Sequence, residues 1–221
     1  MSQKIKIEKK ASEVIQPESV DAAREAIRSK KDLSGANLRA MGLANLNAVG
    51  AILRKTDLTG ADLSHGLLVN PNFYRAKLED VAVHNTVIIA GDLVKTDFRK
   101  ANLCDSAIIG AEAQQAVFKE ADLSNAGLFS SDLEDADFTQ ANLTNARLVS
   151  LNVTGADFTG AQTTGARGYN INWSKAKVPP DNLPAPFVNL PIWAWSVLVG
   201  GFLGMISLIL YALIAKKKKR A

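Results

Sequence analysis

One cysteine in 221 residues, Cys104, excludes an intramolecular disulfide and gives secretion no support from cysteine usage. Enzyme motifs are missing as well. There is no phosphate-binding glycine loop, no nucleophile elbow, and no carboxylate pair that stands out from a general Asp/Asn background. The chain is therefore expected to be non-enzymatic and to carry no cofactor. No basic, aromatic-interleaved stretch suited to nucleic acid occurs either. The first 16 residues, MSQKIKIEKKASEVIQ, are polar and basic and lack an apolar core of signal-peptide length, so residues 1–16 read as a flexible basic N-terminus.

What the chain does have is a period of five. Every fifth position from Leu33 to Phe158 is Leu, Phe, Ile or Val at 24 of 26 places, and only Ala48 and Ala113 break the column. Two residues before each centre the chain is small, as at Ala36, Thr56, Ala61, Ala101, Ala121 and Ala141. Five fits neither a helix at 3.6 nor a strand at 2; it requires a chain that turns a corner every five residues. If four such units make one coil, positions 20 apart stack, and Phe98, Phe118, Phe138 and Phe158 fall in a single column. Coils about 4.8 Å apart then build a rod roughly 30 Å long. At Leu43 to Ala51 the phrase Ala44-Asn45-Leu46 offers a competing frame, and a bulge is expected there.

The repeating phrase is A-[DN]-[LF]-x-x, seen in Ala36-Asn37-Leu38, Ala61-Asp62-Leu63, Ala101-Asn102-Leu103 and Ala136-Asp137-Phe138. It closely resembles the pentapeptide-repeat family over residues 31 to about 170. The resemblance implies an all-β solenoid, a right-handed quadrilateral β-helix of about 6–7 coils, with each centre and each small residue pointing inward.

The ends add further parts. Residues 17–30 read as a short capping helix opened by Pro17 and Glu18, covering a first coil that would otherwise expose its edge. The β-helix spans 31–173, and Tyr169, Ile171 and Trp173 are placed to close its last coil. Residues 174–191 read as a proline-rich linker that stays extended and stops any strand ladder. Residues 192–215 are 24 positions without a charge, enough as a helix of about 36 Å for one transmembrane crossing. Trp193, Trp195 and Tyr211 suit the two interfaces, and Gly200, Gly201 and Gly204 leave one helix face bare for packing against a second copy or a partner. The tail 216–221 is polybasic. The positive-inside rule would keep that tail in the cytoplasm, whereas an anchor this near the C-terminus, with no export signal before it, favours a cytoplasmic or stromal solenoid.

Residues 31–173 hold 12 basic and 16 acidic side chains, so the solenoid is mildly acidic and the overall positive charge belongs to the ends. In the 20-residue frame His84 stacks on Cys104, with His65 and Asp105 in the adjacent column. The four do not converge well enough for a metal to be assigned, and His65, His84 and Cys104 remain a weak zinc candidate. The outward positions of one wall are more telling. Val49, Val69, Ile89, Ile109, Phe129 and Val149 follow their centres, and Leu67 and Val87 precede theirs, while the other three walls are polar or mixed. A strip of this kind, on the order of 300 Å², suits a protein partner.

Two functions from different classes fit. The first is a membrane-anchored scaffold or accessory subunit, docking through the apolar wall onto a larger membrane complex. The resemblance points to a photosynthetic or thylakoid membrane, since the family is abundant in cyanobacteria. The second, also implied by the resemblance, is a DNA-mimicking topoisomerase inhibitor of the quinolone-resistance type, which needs a dense acidic surface.

Overall fold

The computed structural model describes residues 14–187. Every coil lies in the compact unit that ends at Ala185. Four parallel ladders run along the rod, one per side. Asp32 bridges Ile52, Asn37 bridges Asp57, Gly42 bridges Asp62, and Asn47 pairs with Leu67, each step being 20 residues. Three of the ladders consist of single bridging residues between turns. The fourth is a true sheet of three-residue strands: β1 (Asn47–Val49), β2 (Leu67–Val69), β3 (Val87–Ile89), β4 (Ala107–Ile109), β5 (Gly127–Phe129), β6 (Arg147–Val149) and β7 (Arg167–Tyr169). The protein is thus an all-β parallel solenoid of about seven turns with one helix near its N-terminus.

Local sequence helps three walls bend and one stay straight. On the bent walls the residue before the centre is commonly Asp or Asn, and its side chain accepts the N–H two residues on. Asp62 takes Ser64 N–H at 2.9 Å, Asp137 takes Thr139 N–H at 2.8 Å, and Asn142 takes Thr144 N–H at 3.1 Å. Such a bond closes a turn. On the strand wall the same position holds Leu67, Val87, Ala107, Gly127, Arg147 and Arg167, which cannot accept, and Asn47, whose side-chain oxygen takes Leu67 N–H at 3.1 Å instead. The bent walls also turn without this bond at Ile52, Lys77, Ala82 and Val117, so the bond favours the turn but does not alone decide it. At the corners every fifth residue from Gly35 to Asn170 has a positive φ, between 49° and 78°.

The interior is filled by the buried centres. Phe98, Phe118, Phe138 and Phe158 stack with centroids 5.1, 4.8 and 4.8 Å apart and planes within 11° of parallel. The few polar groups inside are satisfied: the Thr56 hydroxyl donates to Leu53 C=O at 2.7 Å and the Thr96 hydroxyl to Phe73 C=O at 2.9 Å. No bulge interrupts Leu43 to Ala51, since Gly42 and Asn47 keep their 20-residue partners. Packing absorbs the irregularity by a size swap. Leu46 occupies the small position, fully buried, and supplies the volume that Ala48 lacks at the centre.

Both ends are closed differently from the sequence-based expectation. The N-terminal helix α1 is shorter than 17–30, running Val20–Arg28. Ser19 rather than Pro17 opens it, because the Ser19 hydroxyl accepts Ala22 N–H at 3.1 Å and caps the first turn. Ala23, Ala26 and Ile27 face the first coil, and Arg24 donates to the carbonyls of Gly42 and Ala44 at 2.8 and 2.9 Å. At the far end Trp173 meets Phe158 edge-on at 5.4 Å and Ile171 packs on the core, whereas Tyr169 stays 37% exposed on the strand wall. Pairing also continues past 173, into the segment read as a free linker. Gly155 and Phe158 N–H bond to Lys175 and Val178 C=O at 2.9 Å each, and Ala185 N–H reaches Ala166 C=O at 3.2 Å. The prolines lie between these pairing points and leave those N–H groups available.

Among the described residues no helix is long and apolar enough to cross a membrane. The segment 192–215, with Gly200, Gly201 and Gly204, and the tail 216–221 lie outside the described residues.

Two tests follow from the core and its turns. Phe118→Ala should cost roughly 3–5 kcal/mol, measured by denaturant unfolding, because it empties a rung between two fixed phenyl rings. Asp157 concerns pH. The Thr159 hydroxyl and N–H, at 2.6 and 3.0 Å, hold its carboxyl below the ordinary carboxylate value; burial opposes them, and Lys177 at 3.1 Å adds a lesser lowering. A carboxyl lowered on folding gives stability that is present above the unfolded value, near 3.9, and is lost as pH falls through the folded value. Thermal melts of wild type and Asp157→Asn should therefore differ at pH 7 and converge at the acid end of that window.

Candidate docking surface

The strand wall carries two outward columns and one corner column. Val49, Val69, Ile89, Ile109, Phe129 and Val149 stand in register, one per rung. Beside them run Leu67, Val87, Ala107 and Gly127, and at the corner Gly50, Asn70, Ala90, Gly110, Ser130 and Ser150. From Leu67 to Ser130 these three columns contain no charge.

The wall is more closed than outward-pointing side chains would suggest. Val49 on the first strand is 46% exposed, but Val69, Ile109 and Val149 are only 6–8% exposed. Branched side chains at the coil spacing cover one another. Phe129 lies down on the wall, its ring edge filling the space where a Cβ on Gly127 would stand, so that glycine is the seat for the ring. A charge introduced at Ile109 would therefore be half-trapped rather than freely solvated.

Conformation accounts for part of the pattern. Among the four walls only this one forms three-residue strands, which β-branched residues favour. That preference does not reach the corner column, whose left-handed φ disfavours branched side chains, nor does it forbid charge there. The equivalent corners elsewhere hold Lys55, Arg75, Asp80, Lys95, Glu120 and Asp135. Absence of charge from all three columns is a separate property of this wall.

The histidine cluster resolves into a pair. The His65 and His84 rings meet edge to face with centroids 5.2 Å apart, and His84 Nδ1 is buried without a partner. Burial pushes the nearby Asp62 carboxyl up, but hydrogen bonds from Ser64 and the electrostatic influence of His84 and His65 outweigh it and bring it below its ordinary value. Cys104 does not complete a site. Among the described residues no three His, Cys, Asp or Glu side chains converge on a metal position, which corrects the weak zinc candidate. Burial first, then Asp105 and Asp122, push the Cys104 thiol up, away from the thiolate that a metal or a nucleophile would use.

A four-walled parallel solenoid with one small inward residue and one large centre in every five defines a repeat protein. Eight copies of the model for pentapeptide repeats match this chain, over residues 32–68, 96–135 and 121–160, and the chain belongs to the pentapeptide-repeat family. No curated protein matches it. Among solved structures it is similar to QnrB1, a plasmid-mediated fluoroquinolone resistance protein, at 20% identity and a TM-score of 0.49, covering 77% of this chain and 94% of that one. It is also similar to HetL of the cyanobacterium Nostoc, a pentapeptide repeat protein involved in heterocyst differentiation regulation, at 19% identity, 75% and 99% coverage and a TM-score of 0.29. Rfr23 of the cyanobacterium Cyanothece is 18% identical, with 67% and 95% coverage and a TM-score of 0.24. At these identities the likeness concerns the repeat fold alone.

Alkylation reports on the thiol. With its pKa raised, Cys104 should react with iodoacetamide at about pH 7.5 more slowly than an unstructured cysteine peptide, the gap closing as pH is raised or the protein unfolded. An equal rate in the folded state would show that the acids and burial do not control it.

Proposed function

We propose that the chain is a non-catalytic, membrane-attached scaffold that binds a protein partner through its strand wall. The observation that carries this reading is the charge-free set of three columns from Leu67 to Ser130, on a rod where two of the other corner columns carry Lys55, Arg75, Lys95 and Asp135 and Asp80, Lys100 and Glu120. A flat apolar patch with no charge to desolvate is the surface that protein association favours. Because Val69, Ile109 and Val149 are already packed by their neighbours, such a strip supplies less than the roughly 7 kcal/mol that about 300 Å² would give at about 25 cal/mol per Å², before association costs. Confinement to one membrane raises the effective concentration and makes so small an interface sufficient. The 24 uncharged residues 192–215 supply that confinement in this reading. A nucleic-acid mimic, by contrast, requires continuous acid along the rod, and Lys55, Arg75 and Lys95 interrupt it.

The test uses positions that keep solvent access. Val49→Glu with Ile89→Glu should leave the melting temperature within a few degrees of wild type while abolishing co-purification of the partner in mild detergent. Normal co-purification by a folded double variant would remove the strand wall from consideration.

A further inference from the structure

Charge along the rod is segregated by height. Residues 31–100 hold nine basic and seven acidic side chains, a net of +2, whereas residues 101–160 hold two basic and nine acidic, a net of −7. The segregation is sharpest on one edge, the corner between the first two walls. Its outermost column reads Lys55, Arg75, Lys95, Gln115, Asp135 from coil to coil, and all five side chains are exposed at left-handed corner positions. The columns on either side follow the same order: Arg54 and Lys77 flank the basic stretch, Glu134 and Asp137 the acidic one. Between them Gln114, Gln115 and Val117 carry no charge.

Among the described residues these charges form no ion pairs. The ion pairs among those residues are Arg39–Asp57, Arg99–Glu79, Arg99–Asp97 and Lys177–Asp157, and none uses Arg54, Lys55, Arg75, Lys77, Lys95, Glu134 or Asp135. The two acids on this edge within the basic half, Asp57 and Asp97, are the ones already neutralised, by Arg39 and Arg99. What the edge presents is basic for three coils, neutral for one and acidic for the next. Arg54 and Arg75 both lie over the Tyr74 ring, at 5.3 and 5.2 Å, which holds the basic centre in place.

We propose that this bipolar edge is an isologous interface, binding a second copy of the same chain in antiparallel orientation. A two-fold axis perpendicular to the rod, between the coils of Lys95 and Gln115, carries the coil of Arg75 onto that of Asp135 and the coils of Lys55 and Lys95 onto the uncharged corners Gly155 and Gln115. Arg75 of one copy meets Asp135 of the other and Lys77 meets Asp137, about 7 Å to either side of the axis at the strand spacing. Lys95 meets the neutral Gln115, so no like charges are opposed at the centre. An anionic membrane or a nucleic acid would be attracted to the basic coils and repelled by the acidic one, whereas an inverted copy satisfies both. The edge is separate from the strand wall, so the proposal stands independently of the wall's function.

A charge-swap experiment tests it on the full chain in mild detergent, by sedimentation equilibrium. Wild type is expected to be dimeric at about 0.05 M salt and to dissociate at about 0.5 M, because exposed pairs are screened over this range. Arg75→Asp alone and Asp135→Lys alone each oppose like charges at both contacts and should weaken dimerisation roughly tenfold or more. Mixed together they should recover it, since the aspartate introduced in one variant then faces the lysine introduced in the other, while the native Asp135 and Arg75 still face each other. Asp and Lys both already occupy left-handed corners of this rod, so melting temperatures should hold. A wild type that is monomeric at low salt, single variants that remain dimeric, or a mixture that does not recover would each overturn the proposal. A dimer insensitive to salt and to both substitutions points instead to the apolar segment and equally overturns it.

Discussion

Each coil of this rod is held by backbone hydrogen bonds to the coils before and after it, and everything else in the molecule depends on that ladder staying in register. Phe98 N–H bonds to Val117 C=O at 2.7 Å on one side of the coil and Asp97 N–H to Ala76 C=O at 3.0 Å on the other. A slip of one residue would turn every centre outward and every charged corner inward. No single bond of this kind contributes more than about 1 kcal/mol net. The stability lies in their repetition with the stacked interior, each coil contributing contacts only to its neighbours. That one-dimensional logic is why both ends need closing, by α1 at one and by the segment from Ile171 to Ala185 at the other.

The ladder frees the surface from any structural duty apart from the turns. Outward side chains can differ from wall to wall without cost to the core, and here they do. One wall is without charge over Leu67 to Ser130, and one edge runs from basic to acidic along its length. Neither pattern has an explanation in the fold alone. The strand wall's branched residues suit their dihedrals, but its uncharged corners do not follow from them. Among the described residues Lys55, Arg75, Lys95 and Asp135 form no ion pair although acids and bases lie only a few coils apart.

How the backbone turns at the corners shows where sequence reasoning reached its limit. Lys55, Arg75, Gln115 and Glu120 all adopt positive φ, a conformation that costs a non-glycine residue about 1 kcal/mol or more and that nothing in their identity announces. Coil closure imposes it. The four-sided rod requires a change of direction at those positions, and cooperative pairing of the neighbouring residues outweighs the local strain. The same applies to the linker: Pro179, Pro180 and Pro184 argued for release from the ladder, yet the residues between and around them bond to the last coil because their own N–H and C=O groups are unobstructed.

What the sequence by itself determined is the interior, because side-chain size at a fixed period is a one-dimensional property. The centre column, the small column two residues before it, the phenylalanine stack and the pairing of positions 20 apart were all legible, as was the apolar character of the strand wall. Tertiary structure alone decided what depends on neighbours from other coils. It made the fourth wall a sheet while its siblings are turns, most of them closed by an Asp or Asn before the centre. It buried Val69, Ile109 and Val149 by lateral packing, brought the His65 and His84 rings together without converging Cys104 with them on a metal position, and set Arg75 and Asp135 on one edge. Those relations arise when distant segments come side by side, and no window of the chain contains them.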